Sequence, residues 1–389
     1  MLFFERFVPE HVWQRLRPDA IYVWENEEVR KRLKWYYLVM IDRVPARFLL
    51  AKIVEVGEKE LEKLDDASLL DLREKSVKEH RGLVDKALKE QYLLEDYTAD
   101  RRGLQDIVSL LDLDVEIIRR MFKPCRLCER KCLVDRSKRL GACRLDEKTY
   151  VHSWFHHLGE EAPLVPSGTI FYGGCNFTCV FCQNYDISQK YPRSGDIVTP
   201  RELARIQHEL RIMGARNINH VGGEPTPSLH TIIESFRYLD TNVPQIWNSN
   251  MYMTELVTRV LTDVIDLWLP DFKYGNDKCA FRLSGVKNYF SIVTRNHIIA
   301  AKEGNMVIRH LVLPGHVDCC SKPIMRWIAD NLSRDKILVN VMDQYRPENL
   351  VARYPKRWPE LTRPVYRDEV EEVMAYAAKL GILYEPVSR

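Results

Sequence analysis

Hydrophobic and polar positions from about residue 168 onward form short β-branched runs that alternate with stretches of helical period. The runs predict six strands, at residues 168–174, 216–222, 244–250, 265–271, 306–313 and 336–343. The other stretches predict helices at residues 201–213, 228–239, 254–261, 288–303, 322–332 and 368–380. Nearly continuous apolar strands such as LWLP and ILVNVM are typical of a parallel sheet covered by helices. The pattern therefore predicts an α/β fold.

Six βα units are fewer than the eight of a closed barrel, so an open barrel and a doubly wound sheet both fit the pattern. In both architectures, ligands bind at the carboxyl ends of the parallel strands. Residues that follow the predicted strands are therefore the ones to search for chemistry.

The first 120 residues differ from the rest of the chain because they carry 22 basic and 25 acidic side chains. Apolar residues recur there at helical spacing in two sets: Val84, Leu88 and Tyr92, then Leu111, Val115 and Ile118. We predict a helical N-terminal domain over residues 1–120, a Cys-rich module over 121–166 and a core over 167–389. The N-terminal domain carries no chemistry that we identify. A docking role and a substrate-recruiting role are both open.

Overall charge and hydropathy exclude some classes of protein. The chain has 58 Lys and Arg against 55 Asp and Glu, a net charge of +3, which does not indicate a nucleic-acid partner. The longest apolar candidate, residues 36–56, contains Asp42, Arg43, Arg47 and Lys52, so we predict no membrane span. The N-terminal MLFFERF lacks the apolar region of a signal peptide. We expect a cytoplasmic protein.

Cysteines carry the strongest chemical pattern, since seven of the ten lie between Cys125 and Cys182. Cys175, Cys179 and Cys182 form a CxxxCxxC loop directly after the first predicted strand. Three thiolates can hold three irons of a [4Fe-4S] cluster and leave the fourth iron open to a substrate or cofactor. A zinc site would need a fourth ligand, and none lies nearby in the sequence. The loop predicts a reactive cluster.

A second group of cysteines, Cys125, Cys128, Cys132 and Cys143, precedes that loop. The close first pair and Gly141 before the last cysteine are typical of a chain that wraps around a metal. The alternatives are structural Zn or Fe, an auxiliary [4Fe-4S] cluster, or no metal. Basic residues flank these cysteines and are expected to offset thiolate charge or contact an acidic partner: Arg126, Arg130, Lys131, Arg136, Lys138 and Arg139.

Two smaller sets of residues have less specific patterns. The first consists of His152, His156, His157, Glu160 and Glu161, whose uneven spacing favours packing or substrate contacts over a metal site. The second consists of Cys279, Cys319 and Cys320, which have no partner spacing. We expect these three to be small buried hydrophobic residues, with a substrate-side thiol at Cys319 or Cys320 as the alternative.

The CxxxCxxC loop with Phe181 before its third cysteine resembles the radical S-adenosylmethionine (SAM) superfamily. Gly222, Gly223 and Glu224, after the second predicted strand, are similar to that superfamily's GGE motif. The resemblance implies a partial (β/α)6 TIM-like barrel in which this motif holds the amino group of SAM.

Later motifs are similar to the branch of this superfamily that contains the pyruvate formate-lyase activating enzymes. LPDFK contains Asp271 and Lys273, and IRHLVLPG contains Arg309. The resemblance places these side chains near SAM or substrate, with Arg309 pairing with the SAM carboxylate and Asn250 also at the cofactor. Asn248 stands where that branch carries Asp, which puts a cation site there in doubt.

A subgroup related to these activating enzymes is closer still, through HHLGEE, CNFTCVFCQN, GGEPTP and VMDQYRP. This resemblance covers about residues 120–389. Activators with auxiliary clusters place the extra cysteines after the CxxxCxxC loop, so the earlier position of Cys125–Cys143 favours a mononuclear metal here.

The resemblance implies an anaerobic oxidoreductase that takes an electron from reduced flavodoxin or ferredoxin and cleaves SAM to a 5′-deoxyadenosyl radical. We expect hydrogen abstraction from a protein substrate, as in glycyl-radical activation. The alternatives are a small-molecule substrate and a non-catalytic iron–sulfur electron-transfer module. Asp343, Gln344 and Tyr345 follow the last predicted strand and are the expected substrate contacts.

Overall fold

The computed structural model describes residues 6–103 and 107–388. Its sheet has eight strands: β1 Thr149–His157, β2 Ser167–Tyr172, β3 Asp196–Val198, β4 Asn217–Gly222, β5 Gln245–Ser249, β6 Leu267–Pro270, β7 Asn305–Leu311 and β8 Ile337–Met342. Their order is β3-β1-β2-β4-β5-β6-β7-β8. β2 and β4 to β8 pair in parallel, which confirms the six predicted strands.

β1 and β3 were not predicted. β1 pairs antiparallel with β2 on one side and with β3 on the other. β1 contains polar His152, Ser153, His156 and His157, and it belongs to no βα unit, so the alternation that reveals the parallel strands does not extend to it. Residues 121–166 therefore contribute a strand to the sheet of the core.

Helices surround the sheet and fill the N-terminal part of the chain. They are α1 Glu10–Leu16, α2 Asp19–Tyr22, α3 Glu27–Arg32, α4 Lys34–Met40, α5 Arg47–Ala51, α6 Asp66–Leu88, α7 Leu94–Gly103, α8 Leu110–Phe122, α9 Pro200–Ile212, α10 Leu229–Ser235, α11 Glu255–Leu261, α12 Asp277–Ser284, α13 Tyr289–Glu303, α14 Lys322–Asn331, α15 Asn349–Arg353 and α16 Arg367–Lys379. The six helices predicted after residue 200 correspond to α9, α10, α11, α13, α14 and α16. α6 ends at Leu88, so Tyr92 lies outside it.

The inner face of the sheet has two layers, because alternate residues of a strand point to the same side. Ile246, Leu267, Val307 and Leu338 form an apolar layer, which includes Tyr36 of α4. Two residues further along β5, β7 and β8, the inward positions are polar Asn248, Arg309 and Asn340, which line a cavity. Phe171 of β2 and Asn340 of β8 line this same cavity although they lie far apart in the strand order, so the sheet curves into a partial barrel.

The N-terminal helices pack on the barrel through a continuous apolar core and buried polar contacts. Trp35 Nε1 donates to Asp266 Oδ1 at 2.8 Å, and Tyr36 accepts from Asn217 Nδ2 at 2.9 Å. Arg73 of α6 pairs with Asp114 of α8 and with Asp263 beside β6. Because Tyr36 belongs to the apolar layer near the beginnings of the strands, it closes the amino-terminal end of the barrel. None of the helices described is long and apolar enough to cross a membrane.

Candidate active site at the carboxyl ends of the strands

The CxxxCxxC loop begins where β2 ends. Gly174, in the left-handed region at φ 77°, turns the chain, and a Cβ on Gly173 would lie 2.0 Å from the Pro192 carbonyl oxygen. Only glycine fits this close approach. Cys175 and Cys179 are each 8% exposed, and Cys182 is half-buried. The loop thus presents three thiols from a tight turn at the carboxyl end of a parallel strand.

Each of the three sulfur atoms has a polar neighbour. The Phe177 amide donates to Cys175 Sγ at 3.3 Å, and Asn250 Nδ2 lies 3.8 Å from the same sulfur. Cys179 Sγ lies 2.9 Å from Ser284 Oγ, and Cys182 Sγ lies 3.4 Å from Ser188 Oγ. These groups can donate hydrogen bonds to thiolates, the form in which cysteine binds metal.

Electrostatics make a positive metal centre a good fit for this loop. Burial raises the pKa of the Cys175 thiol, and the nearby Glu224 carboxylate raises it further. Burial and the neighbouring Cys182 raise the pKa of Cys179 to about 11, against the opposing effect of the Lys273 ammonium. Buried thiolates therefore need a cation, and a three-thiolate set suits an iron–sulfur cluster with one open iron.

The GGE segment lies directly beside the cysteine loop. A Cβ on Gly222, where φ is 125°, would lie 2.2 Å from the Tyr172 amide nitrogen. A Cβ on Gly223 would lie 2.1 Å from the Gly174 carbonyl oxygen. The two glycines allow the end of β4 to pack against the turn that precedes Cys175.

Glu224 is 2% exposed and bridges the ends of β4 and β5. Its carboxylate accepts hydrogen bonds from Ser249 Oγ at 2.7 Å, the Asn250 amide at 2.9 Å and Thr226 Oγ1 at 2.5 Å. Burial raises its pKa, while these hydrogen bonds oppose the rise. Asn250 Nδ2 also donates to Asn176 Oδ1 at 2.7 Å, which links this carboxylate to the cysteine loop.

Asp271 and Lys273 lie at the same end of the barrel. Lys273 Nζ is 2.6 Å from Asp271 Oδ2, and the charges of Asp271, Cys179 and Cys182 raise the pKa of Lys273 against the effect of burial. The structure therefore brings both predicted residues to the cysteine loop.

Arg309 lies inside the barrel and pairs with two carboxylates that we had not predicted as its partners. Arg309 Nε donates to Glu161 Oε1 at 2.7 Å, and Arg309 Nη2 donates to Glu160. Burial opposes ionisation of Glu160, but Arg309 and His157 lower its pKa to about 2. Two carboxylates thus face one guanidinium, and the predicted pairing of Arg309 with SAM stays a prediction.

The cavity inside the barrel has a volume of about 490 Å³, within the range of small-molecule pockets. Asn248, Arg309 and Asn340 line its inner part, and Gln183 and Gln344 line its mouth. Asn248 Nδ2 and Asn340 Oδ1 are buried and have no hydrogen-bond partner. Sequence reasoning missed Asn340, although the inward alternation of Leu338, Asn340 and Met342 on β8 would have indicated it.

The remaining candidates for cofactor or substrate contact have different positions. Phe181 is buried and packs edge-on against Tyr345, with ring centroids 5.8 Å apart. The Tyr345 hydroxyl donates to the Leu361 carbonyl at 2.7 Å, so it has a structural partner. Asp343 and Gln344 are exposed, and only Gln344 lines the cavity.

Of the residues in HHLGEE, His156 has a packing role, as expected. Its Nδ1 accepts from the Val8 amide at 3.2 Å, and its Nε2 lies 3.3 Å from the Leu210 carbonyl oxygen. The glutamates of the same motif instead face the cavity. His152 also contacts a backbone carbonyl, that of Pro192, at 3.3 Å.

The four-cysteine segment packs against the cysteine loop. Arg130 Nε donates to the Asn176 carbonyl at 2.7 Å, and Cys128 forms a β-bridge with Met253. Burial raises the pKa of Cys128 to about 12, and a hydrogen bond with the Asn176 side chain opposes this. Asn176 therefore lies between Cys128 and Cys175, and the two groups of cysteines are neighbours.

Comparison with known proteins agrees with this site. Residues 169–328 match the model of the radical SAM superfamily, so the barrel contains a radical SAM domain. More particularly, the chain is 41% identical over 362 residues to the uncharacterized protein MJ0674 of Methanocaldococcus jannaschii, an alignment that covers 91% of this chain and 100% of the relative.

Two solved structures match a little more than half of this chain, each with a low TM-score. SuiB of Streptococcus suis, bound to precursor peptide SuiA, is 15% identical with a TM-score of 0.40, and the match covers 55% of this chain and 46% of SuiB. A radical SAM methyltransferase from Sphaerobacter thermophilus is 14% identical with a TM-score of 0.42, and the match covers 57% of this chain and 65% of that one.

Proposed function

We propose that this radical SAM enzyme abstracts hydrogen from a polypeptide, in the manner of a glycyl-radical activating enzyme. Cys175, Cys179 and Cys182 would hold the [4Fe-4S] cluster. When bound, cluster and SAM supply a 5′-deoxyadenosyl radical after one-electron reduction. The protein positions SAM and keeps the radical away from water.

In this proposal, the side chains around the cysteine loop bind and orient SAM. Glu224, fixed by four hydrogen bonds, offers a carboxylate for the SAM ammonium. Lys273 and Asp271 form a charged pair beside Cys179. Gly223 has no side chain, so the segment that carries Glu224 can pack against the turn at Gly174.

The observation that supports a polypeptide substrate is the pair of unpartnered groups in the cavity. Asn248 Nδ2 is a free donor and Asn340 Oδ1 is a free acceptor. Asn340 is oriented by its other amide atom, which donates to Glu161 at 2.8 Å. A peptide group supplies one carbonyl and one N–H, so it would satisfy both. Exposed Gln183 and Gln344 at the mouth suit an extended chain that enters from solvent.

The alternative is a polar small molecule, which the cavity volume and the two carboxylates at Arg309 favour. A substrate of this kind would be small enough to lie wholly inside the barrel. It would carry a cationic or hydrogen-bond-donating group opposite Glu160 and Glu161.

The electron donor in this proposal is reduced flavodoxin or ferredoxin. Exposed Lys131 and Lys138 project from the four-cysteine segment, whereas Arg136 is buried. The exposed lysines offer a surface for an acidic donor close to the cysteine loop.

We also propose that the four cysteines hold a second metal centre. Tetrahedral zinc with Zn–S bonds of about 2.3 Å separates its sulfur ligands by about 3.8 Å. Among the residues described, no three of Cys125, Cys128, Cys132 and Cys143 have sulfur atoms within 4.8 Å of one another. This wider spacing favours an auxiliary [4Fe-4S] cluster over the mononuclear metal that the order of the motifs indicated.

Anaerobic reconstitution with iron and sulfide tests the cofactors. We expect 5′-deoxyadenosine from SAM and dithionite, with about eight irons per chain for two clusters, or four to five for one cluster with at most one mononuclear iron. Cys179→Ala should abolish cleavage but keep the second metal. A loaded cluster that neither binds nor cleaves SAM would favour the electron-transfer module.

Fractionated lysate of the source organism tests the substrate class. For a polypeptide, the fraction retained by a size filter should accelerate 5′-deoxyadenosine formation, and protease treatment should remove the effect. Acceleration by the protease-resistant filtrate would instead support the small molecule. The Cys179→Ala variant, which should form no product with either fraction, controls for endogenous activity in the lysate.

A further inference from the structure

Three cysteines without partner spacing in the sequence meet at one place in the structure. Cys279 lies in the first turn of α12, whereas Cys319 and Cys320 follow β7. Cys279 Sγ is 3.9 Å from Cys319 Sγ, and Cys319 Sγ is 3.8 Å from Cys320 Sγ. The expectation that all three are buried is wrong, because Cys319 is exposed and Cys279 is partly so. A loop that returns to α12 brings them together.

A histidine completes this group. Donor atoms of Cys279, His316 and Cys319 all lie within 4.8 Å of one another, and this is the only such set of three among the residues described. His316 is buried. Two soft thiols and an imidazole are a donor set typical of zinc.

The distances suit a single ion. Two thiolates of tetrahedral zinc are about 3.8 Å apart when the Zn–S bonds are about 2.3 Å. The Cys279–Cys319 separation of 3.9 Å matches that value without movement of the chain. The spacing of the four-cysteine segment does not match it.

One ring nitrogen of His316 is free to bind a metal ion. Its Nδ1 lies 2.8 Å from the Pro314 carbonyl oxygen, so Nδ1 carries the proton and Nε2 is left as the electron-pair donor. A backbone carbonyl in this role is a common partner of metal-binding histidines, since it fixes the tautomer and the ring orientation.

We propose that Cys279, His316 and Cys319 bind one Zn²⁺ ion, separately from the SAM cluster. Three protein ligands leave a fourth position, and exposed Cys319 makes that position reachable from solvent. Cys320 is the nearest further sulfur atom, and Asn276 Nδ2 already contacts it at 3.8 Å.

The site would also connect to the cluster loop through α12. This helix begins beside Cys279 and ends at Ser284, whose hydroxyl lies 2.9 Å from Cys179 Sγ. Cys279 and Ser284 are five residues apart, which corresponds to about 7.5 Å along the helix axis. Zinc would therefore fix the helix that supplies a hydrogen bond to the cluster ligand.

Alkylation of Cys319 tests the site at the residue itself. The full-length protein, with its cluster reconstituted, is treated anaerobically with iodoacetamide with or without added Zn²⁺. Mass spectrometry then measures modification of Cys319. Zinc at 100 times its Kd should slow this modification up to about 100-fold, since about 1% of the sites stay empty.

His316→Gln removes one ligand and should abolish most of the protection. Asp318→Asn is the matched control, because Asp318 lies on the same loop, is exposed and pairs with Lys322. Co²⁺ titration gives a second readout: wild type and Asp318→Asn should bind one more Co²⁺ than Cys319→Ser, with a thiolate charge-transfer band. Binding at the four-cysteine segment is common to all variants and cancels in this difference.

Equal alkylation of Cys319 with and without Zn²⁺ would overturn the proposal. Equal Co²⁺ stoichiometry in wild type and Cys319→Ser would overturn it as well. Because Cys319 is exposed, Cys319→Ser should fold normally, which circular dichroism checks. Neither readout depends on SAM cleavage, so the result stands apart from the proposed enzymatic function.

Discussion

Gly223 is the position where one added methyl group should damage the site most directly. In Gly223→Ala, the new Cβ would lie 2.1 Å from the Gly174 carbonyl oxygen and 3.0 Å from Ser188 Cβ. Gly174 precedes Cys175, and Ser188 Oγ lies 3.4 Å from Cys182 Sγ. The methyl group therefore presses on both ends of the cysteine loop.

The size of the effect follows from these distances. Side-chain Cβ atoms essentially never approach other heavy atoms closer than 3.0 Å, so Gly174 and Gly223 must separate by about 0.9 Å. Overpacking of this kind costs about 1 to 3 kcal/mol of folding free energy. A displacement of about 1 Å between bound SAM and the cluster costs about 100-fold in rate. We expect the protein to fold and bind iron, but to cleave SAM about 100-fold more slowly.

The assay is 5′-deoxyadenosine formation from SAM and dithionite, normalised to iron content. Gly82→Ala is the matched control, because Gly82 lies in α6 and a Cβ there would have no neighbour within 4 Å. That change should leave cleavage intact and stabilise the helix by about 0.5 to 1 kcal/mol. A Gly223→Ala rate within threefold of wild type, at full iron content, would refute the reasoning.

Three further predictions concern the cluster, the second metal and pH. Ser284→Ala removes the hydroxyl that lies 2.9 Å from Cys179 Sγ. Loss of a hydrogen bond worth about 1 kcal/mol should lower the cluster potential by about 40 mV in a redox titration. An unchanged potential would show that the hydroxyl does not donate to this sulfur. Cys128→Ala should lower the unfolding temperature more than the rate of SAM cleavage if its metal is structural, whereas normal stability with lost activity would indicate an auxiliary cluster. Burial lowers the pKa of His220 to about 4. As the pH is lowered, the unfolded chain therefore takes up a proton before the folded protein does. The free energy of unfolding should fall by about 1.4 kcal/mol per pH unit between pH 6.5 and about 4. Urea unfolding between pH 7 and 5.5 should show a shallower pH dependence for His220→Gln, and an identical slope would contradict this assignment.

Much of the core was predictable because its signals are local. Each of the six parallel strands is a short apolar run, and period 2 against period 3.6 separates strands from helices within a few residues. Cys175, Cys179 and Cys182 occupy one turn, so their spacing alone indicates that one loop presents them. The GGE segment was informative because it follows the next strand of the parallel sheet.

Contacts between distant parts of the chain were not predictable. Arg309 and Glu161 are separated by 148 residues, and nothing in either segment indicates that the barrel places them in one cavity. Cys279 and Cys319 are 40 residues apart and meet only because α12 and the loop after β7 pack together. β1 joins the sheet antiparallel, outside the repeating pattern.

The sequence by itself determined the class of fold, the cysteine loop and the order of the strands and motifs around that loop, because these depend on periodicity and short spacing. The tertiary structure decided the partners of Arg309, the closure of the barrel by Tyr36, the proximity of Cys128 to the cluster loop and the cysteine–histidine group at His316. The physical reason is that side-chain contacts across the fold depend on the path of the backbone through space. Local propensity and hydrophobic pattern constrain that path but do not specify which distant side chains meet.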